Sequence, residues 1–481
     1  MMLFLPLVLS LQLTVGQPNA AIGVVSVDSL SLSLRDAVAR ALLTGDEARA
    51  AAALVDVTDA QLTIARAAGL PQLRVNANQS HVFESARASA VGAIFNQPNT
   101  YTTAATLSQS LFQGGRIVAG ARAARELRGA ATMDRTEVLA QLSVDVQRAY
   151  VQALFARTLA EIQDTALALA GQRLAQAQQF ERAGRASRYD VLRAGVERAN
   201  LQPAVIEARS GIELALIELR RLVNIPVKQP LRLTTGIDTV SVLDWVARLR
   251  ADTALLQRPA IRSAEMIANA RHQAVSVARA DLLPTISISG VGAQAFPLSG
   301  FPTGRGRLEP VPCPDGSEAT RICTRQNGGW FGDRSFGIAV GLPIFDGFRA
   351  RGAISLASAQ ARVADLQLAQ TRERIASEAT ASRAELDRAQ ALFAARGQNA
   401  GEASEAFRLA ALRQSRGLAT QLEVADAQLA LTVARTNEAR AVYDLYIAAA
   451  TFARAIGRPP HIFELPDGIR TSLPSSTNRA Q

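Results

Sequence analysis

Few residues in this 481-residue chain have types and spacing suited to chemistry. The three histidines, His81, His272 and His461, are scattered and offer neither metal-ligand spacing nor a paired general base. No GxxxxGK-S/T, no GxGxxG after a strand and no HExxH occurs, so the common nucleotide and zinc sites are absent as motifs. We expect no enzyme and no cofactor. Cys313 and Cys323 lie in a Pro/Gly-rich stretch. In an oxidising compartment they would close a loop disulfide; a metal site is the weaker alternative, because no third or fourth ligand is nearby. The remaining candidates are acids beside glycines. Gly184-Arg185-Ala186-Ser187-Arg188-Tyr189-Asp190 and Gly417-Leu418-Ala419-Thr420-Gln421-Leu422-Glu423 share one pattern, in which a glycine stops one helix and a capping box starts the next.

Composition narrows the setting. The 52 Lys+Arg against 42 Asp+Glu give a formal charge of +10. That charge is dispersed, Lys228 is the single lysine, and no basic run carries interleaved aromatics, so a nucleic-acid partner is not expected. Residues 1–23 hold an apolar stretch too short for a bilayer, which needs about 20 apolar residues. It suits a signal peptide followed by small residues, although no basic residue precedes it. No later stretch reads as a transmembrane helix.

The elements that carry the two tips are written twice. Ala41-Leu42-Leu43 recurs as Ala254-Leu255-Leu256, and Leu70-Pro71 as Leu283-Pro284. Further on, Leu111-Phe112-Gln113-Gly114-Gly115-Arg116 recurs as Ile344-Phe345-Asp346-Gly347-Phe348-Arg349, at a longer offset. The extra residues fall in the segment that holds both cysteines. The expected plan is a first repeat over 31–223 (β-hairpin 72–112, helical hairpin 114–223) and an inter-repeat, equatorial linker over 224–258. A second repeat covers 259–457 (β-hairpin 285–344, helical hairpin 347–457), followed by a partly disordered tail over 458–481. Each repeat opens on a helix (about 31–70, and 259–283) that a proline ends.

Period-2 sequence follows each proline. Leu73, Val75 and Ala77 alternate with Arg74, Asn76 and Asn78; Ile286 and Ile288 alternate with Thr285, Ser287 and Ser289. Such runs suit tilted transmembrane strands or a soluble hairpin with one wet face. No proline occurs between Pro98 and Pro203 or between Pro343 and Pro459, so very long helices follow. Leu139, Leu142, Val146, Ala149 and Ala153 step by three and four, as in coiled-coil packing. Four strands cannot close a barrel, and an open edge in hydrocarbon costs several kcal/mol per unpaired group. Copies of the chain must therefore combine; three would supply twelve strands, with Arg74, Asn76, Asn78, Thr106, Ser108, Ser287 and Ser289 lining a lumen.

The duplicated plan, the Leu-Pro before each hairpin, the glycine-containing helix starts at Gly114 and Gly347, and the two tip motifs resemble the TolC-like outer-membrane efflux proteins. The resemblance covers about residues 31–457. It implies a mainly α chain with a transmembrane β-barrel part. Two tandem repeats of long antiparallel coiled-coil helices plus a β-hairpin would form a homotrimeric 12-strand barrel and an α-helical periplasmic tunnel. It implies an outer-membrane exit duct for drugs or toxic compounds, driven by an inner-membrane pump through a periplasmic adaptor, with outer-membrane lipid around the barrel. An outer-membrane component for type I protein secretion would use the same tube; a soluble periplasmic coiled-coil scaffold is the reading from a different class. By the matched tip motifs, Gly184, Ser187, Gly417 and Thr420 fall at adaptor-docking tips. Asp190, Glu423 and Asp426 fall at a periplasmic gate, where a ring of carboxylates would bind divalent cations and raise some carboxyl pKa values. Capping accounts for Asp190 and Glu423 equally well, but not for Asp426. Ala419 and Gln414 stand where the family's gate arginine and tyrosine are expected. Arg185, Arg188, Arg413 and Arg416 lie nearby and could pair with the acids instead.

Overall fold

The computed structural model describes residues 29–84, 99–236, 239–251, 258–295, 304–312, 322–326 and 330–458. The expected signal segment, nearly all of the tail and Cys313 lie outside the described residues, and with Cys313 the expected disulfide. The first half contains β1 (Leu30–Leu32), α1 (Leu34–Thr44), α2 (Asp46–Ala67), β2 (Gln72–His81), β3 (Asn99–Gln113), α3 (Arg116–Arg182) and α4 (Arg188–Leu222). After β4 (Leu231–Leu233) and α5 (Thr239–Ala251) comes the second half. It contains α6 (Pro259–Arg279), β5 (Thr285–Ala295), β6 (Leu308–Pro312), β7 (Ile322–Gln326), β8 (Trp330–Gly341), α7 (Arg349–Ser415) and α8 (Gln421–Ala455). The duplication is visible in the lengths: α3 and α7 have 67 residues each, and α4 and α8 have 35 each. At 1.5 Å per residue the long helices span about 100 Å. Pro203 lies inside α4, which continues through it.

The main sheet has the order β2-β3-β5-β8 and is antiparallel throughout. Its register keeps one parity across all four strands. Leu73 faces Leu107, Leu107 faces Gly290, and Gly290 faces Phe336. Gln72 faces Ser108, Ser108 faces Ser289, and Ser289 faces Gly337. A shift at Ser110/Phe112 in β3 puts Phe112 opposite Ile286, which pairs with Val340. One face therefore collects Leu73, Val75, Leu107, Phe112, Ile286, Ile288, Phe336, Ile338 and Val340. The other collects Arg74, Asn76, Asn78, Thr106, Ser108, Ser287 and Ser289, the residues expected to share a lumen. Since a one-residue slip would exchange the faces, this register is a strong statement. The apolar face is bare in the single chain: Val340 is 69% exposed and Phe336 72%. Among the described residues the outer edges of β2 and β8 carry no strand partner, apart from an isolated bridge between Arg305 and Trp330 at one end of β8.

The helices form a wall in the same order. Next to the sheet, α2 packs on α3, α3 on α6 and α6 on α7. Toward the tips, α4 packs on α3, α3 on α8 and α8 on α7. Its flanks are α2 and α4 on one side and α7 on the other. Apolar side chains stand exposed on both, among them Val57 and Ile64 on α2, Ile206 and Leu214 on α4, and Val363 and Leu366 on α7. Elsewhere the wall is alanine-rich, which lets helices approach closely; Ala153, Ala156, Ala160, Ala434 and Ala441 are all buried. Of the heptad-like set, Leu142, Val146, Ala149 and Ala153 are buried and Leu139 packs against them. No described helix is long and apolar enough to cross a membrane.

Around the middle of α3 sits the largest hydrophobic core, built partly from short elements. The helical stretch expected over about 31–70 opens on a short strand and is divided into two helices. β1 pairs in parallel with β4, and the chain breaks between α1 and α2 at Gly45, whose backbone is extended. A Cβ at Gly45 would lie 2.4 Å from the Ala41 carbonyl oxygen. The segment 224–258, expected as the inter-repeat linker because of Pro226 and Pro230, contains β4 and α5. Trp245 on α5 is 1% exposed and stacks near Tyr446. The Tyr150 hydroxyl ties this layer to α3. It donates to the Leu32 carbonyl at 3.0 Å and accepts from the Thr235 amide at 3.0 Å.

Candidate functional site: the two helical tips

Each tip is built from backbone first. α3 ends at Gly184 (φ +69°) and α7 at Gly417 (φ +76°), both in the left-handed region that glycine enters without steric cost. The Arg185 amide then donates to the Phe180 carbonyl at 2.7 Å, and the Leu418 amide to the Arg413 carbonyl at 2.9 Å, closing both helix ends. A Cβ at either glycine would meet nothing within 4 Å, so the tips are open.

Ser187 and Thr420 then start α4 and α8 with complete capping boxes. Asp190 Oδ2 accepts from the Ser187 amide at 2.9 Å and from its hydroxyl at 2.7 Å. Those two hydrogen bonds hold the Asp190 carboxyl below the usual aspartate range. A raised pKa is thus not what the protomer gives Asp190; the cap stabilises its charged form. Glu423 makes the same box more loosely, with 3.3 Å to both the Thr420 amide and hydroxyl. Its other oxygen lies 3.7 Å from Arg413, which also donates to the Leu418 carbonyl at 3.2 Å. Arg413 is therefore the arginine that pairs with a tip acid, while Arg185 lies over the Phe180 ring. Asp426 is exposed on α8 one turn beyond Glu423 and has no ion-pair partner among the described residues. The structure thus joins Ser187 with Asp190 and Thr420 with Glu423, and gives Asp426 no ion-pair partner among the described residues.

A second charged constellation escaped the sequence reading. Glu137 on α3, Glu378 on α7, Arg258 just before α6 and Arg454 at the end of α8 form a closed quartet. Arg258 lies 2.6 Å from both acids; Arg454 lies 3.0 Å from Glu137 and also contacts Glu378. Arg258 is only 6% exposed. Burial pushes the Glu378 carboxyl up, but the Arg258 hydrogen bond and the guanidinium charges of Arg258, Arg454 and Arg374 outweigh it and hold it below the usual glutamate range. The one local signal is a cation at a helix N-terminus, where the dipole disfavours it: Arg258 precedes Pro259 and makes no side-chain cap bond. Among the described residues no cluster of His, Cys, Asp and Glu has metal-site geometry.

The family model for outer membrane efflux proteins matches residues 38–224 and 251–458. The chain belongs to the outer membrane efflux protein family. It is 23% identical over 440 residues to outer membrane efflux protein BepC of Brucella suis, covering 89% of this chain and 86% of that protein. The fold resembles the outer membrane protein VceC of Vibrio cholerae, with a TM-score of 0.69, 20% identity and coverage of 89% and 97%. It also resembles the CmeC outer membrane channel of Campylobacter jejuni, with a TM-score of 0.70, 15% identity and coverage of 91% and 89%. Family and fold are those of channels rather than enzymes. The chain is an outer-membrane exit duct for efflux: the sheet is its membrane part and the helical wall reaches into the periplasm.

Proposed function

We propose that three copies close one conduit, and that a periplasmic adaptor and an inner-membrane pump open and drive it. The carrying observation is that sheet and wall run in the same order and leave their open flanks on the same sides. β2, α2 and α4 flank one side; β8 and α7 flank the other. A rotation that joins β8 of one copy to β2 of the next also brings its α7 to α2 and α4 of that neighbour. Both sets of open edges are then covered in one step, which the bilayer requires of the strands and the exposed apolar stripes favour for the helices. A soluble scaffold would leave the apolar sheet face and both strand edges in water.

In this reading the two tips of each copy meet around the axis at the periplasmic entrance. Gly184, Ser187, Gly417 and Thr420 present the adaptor-docking surface, and Asp190, Glu423 and Asp426 are the gate acids. Asp190 is held tightly in its cap and Glu423 more loosely in its own, with Arg413 beside it, so Asp426 first and Glu423 second set the cation affinity. The conduit carries small toxic compounds; the type I secretion reading differs in cargo and pump, not in the tube. Reconstitution in planar bilayers tests this. Discrete conductance steps are expected, blocked by millimolar divalent cations. Glu423→Ala with Asp426→Ala is expected to raise the conductance and weaken the block. Steps with unchanged block in the double variant would remove these acids from the gate; no steps at all would count against a conduit.

A further inference from the structure

Where the sheet ends and the wall begins, the two strand-to-helix corners repeat one pattern with different side chains. Phe112, Gly115, Arg116 and Val118 correspond to Phe345, Phe348, Arg349 and Arg351. At the first corner Arg116 pairs with Asp281, in the turn after α6. Gly115 looks into open space, where a Cβ would meet nothing within 4 Å, and Val118 is exposed. The second corner fills that same space. Phe348 holds φ +66°, a conformation that bulky residues rarely adopt. Its ring lies edge-on to Phe345 at 5.6 Å, and the Arg351 guanidinium sits over it, 5.5 Å from the ring centre. Phe345 is 77% exposed and Ile344 94%. Arg349 and Arg351 are exposed too, and neither has an ion-pair partner among the described residues. Asp346, the acid closest to them in sequence, is turned away: its Oδ2 accepts from the Ala350 amide at 2.8 Å.

We propose that the second corner is a phospholipid site of the periplasmic leaflet: Phe345 and Phe348 lie against the acyl chains, and Arg351 and Arg349 hold the headgroup phosphate. The corner is at the right height. The membrane sheet ends at Gly341 and the periplasmic wall begins at Arg349, so the residues between them cross the boundary of the hydrocarbon. Phe345 repeats Phe112, which lies on the apolar face of the sheet. A guanidinium stacked on a ring keeps its edge N–H groups free, and their planar fork matches a phosphate. The bend itself does not demand phenylalanine, since Gly115 makes it in the first half. The site also stays open on assembly. At the first corner α6 and β5 already pack where the next copy would pack on the second, and Gly115 and Val118 still face open space. By the same geometry Phe348 and Arg351 stay open beside a neighbour. That neighbour brings no acid, because Ala68 is the counterpart of Asp281. This placement of the neighbour rests on the conduit reading above; the stack of Phe345, Phe348 and Arg351 belongs to a single copy.

The test uses the full-length protein in detergent, with native mass measured first on each sample. Dioleoyl phosphatidylglycerol is then titrated in, or a galactosyl diacylglycerol with the same acyl chains and no phosphate, and bound lipid is counted by native mass spectrometry. Wild type is expected to retain phosphatidylglycerol up to one per copy, about thirtyfold more tightly than the galactolipid. Arg349→Gln with Arg351→Gln is expected to abolish that preference at unchanged mass. Arg116→Gln is expected to keep it, because Arg116 already has its acid. Phe348→Gly is expected to weaken retention of both lipids alike, since it removes the ring and keeps the charges. Equal retention of the two lipids by wild type overturns the site, as does a preference that survives in the double variant or falls equally in Arg116→Gln. Release of the lipid by millimolar inorganic phosphate would make this a free-anion site and overturn the lipid assignment. If the double variant does not assemble, Arg351→Gln alone decides by the same readout. A wild-type mass other than three chains contradicts the conduit reading itself, a different result from a trimer that shows no lipid preference.

Discussion

The two halves repeat one plan, yet they meet different surroundings, and their differences follow from where each lies in the wall. The first strand-to-helix corner sits inside the protomer. A Cβ at Gly114 would lie 2.7 Å from the Leu283 Cβ, and Arg116 pairs with Asp281 in the turn just after α6. Its counterpart Gly347 has nothing within 4 Å, because β8 and α7 are the open flank. The first corner uses two left-handed glycines, Gly114 and Gly115; the second uses Gly347 and Phe348, a bulky residue at φ +66°. The Phe348 ring lies edge-on to Phe345 at 5.6 Å. At the equator the first half is joined by exposed links, Arg221 to Glu47 and Asn224 to the Thr44 carbonyl. The second is joined by the buried quartet. Duplication thus supplies the frame, and a few side chains decide which copy is anchored within the protomer and which faces its neighbour.

The largest expected asymmetry is between the equivalent arginines. Arg454→Met takes one of two guanidinium partners from Glu137 and Glu378 while Arg258 stays on both, so its cost should exceed that of an exposed pair but stay below the about 3–5 kcal/mol of a buried charge left wholly unpaired. Arg221→Met removes exposed pairs worth about 0–1 kcal/mol. Thermal melts should separate the two variants clearly, and equal shifts would dissolve the distinction between the junctions. Acid sharpens it. The folded Glu378 carboxyl titrates below its unfolded value, so its contribution is complete above the ordinary glutamate range, about pH 4.3, and is lost as pH falls through the lower folded value. Wild type should lose melting temperature below about pH 4, and Glu378→Gln, already destabilised, should lose less over the same interval.

At the tips the expected effects are smaller. Losing an N-cap hydroxyl costs about 1 kcal/mol. Ser187→Ala should speed amide exchange at the start of α4 more than Thr420→Ala does at the start of α8, because the Arg413–Glu423 contact persists in the second tip. Equal acceleration would show that Arg413 adds nothing. The smallest effect is expected at the corners. Phe348→Gly relieves left-handed strain of about 1–2 kcal/mol but loses the ring contact and adds freedom to the unfolded chain, for a net change under about 1 kcal/mol. Gly115→Phe puts a bulky residue at φ +82° and should destabilise; a neutral result would mean that a ring contact with Phe112 offsets the strain as Phe345 does for Phe348.

Much of this fold was legible because its signals are long or repeated. Proline-free windows, paired Leu-Pro stops and alternating runs mark the helices and strands, and the polar strand residues do share one face. The tips were legible because glycine followed by a capping box is a local signal. Short elements and distant pairings were not. β1 and β4 have three residues each, too few for a period. α5 was hidden behind Pro226 and Pro230, although Asp244-Trp245-Val246-Ala247-Arg248 repeats Asp36-Ala37-Val38-Ala39-Arg40 of α1. In both helices the valine of that motif is buried against the same core. The quartet joins residues from opposite ends of the chain, and only packing brings them together. The low Asp190 pKa follows from two hydrogen bonds whose lengths no sequence states.

The central claim is that one protomer's open flanks are covered by further copies. Native mass of the mature protein, extracted in detergent from an outer-membrane fraction, tests it most directly. A mass of three chains is the predicted result. A monomer released into the soluble periplasm would mean that the apolar sheet face does not meet lipid and that the wall does not close, and the conduit would fall with it.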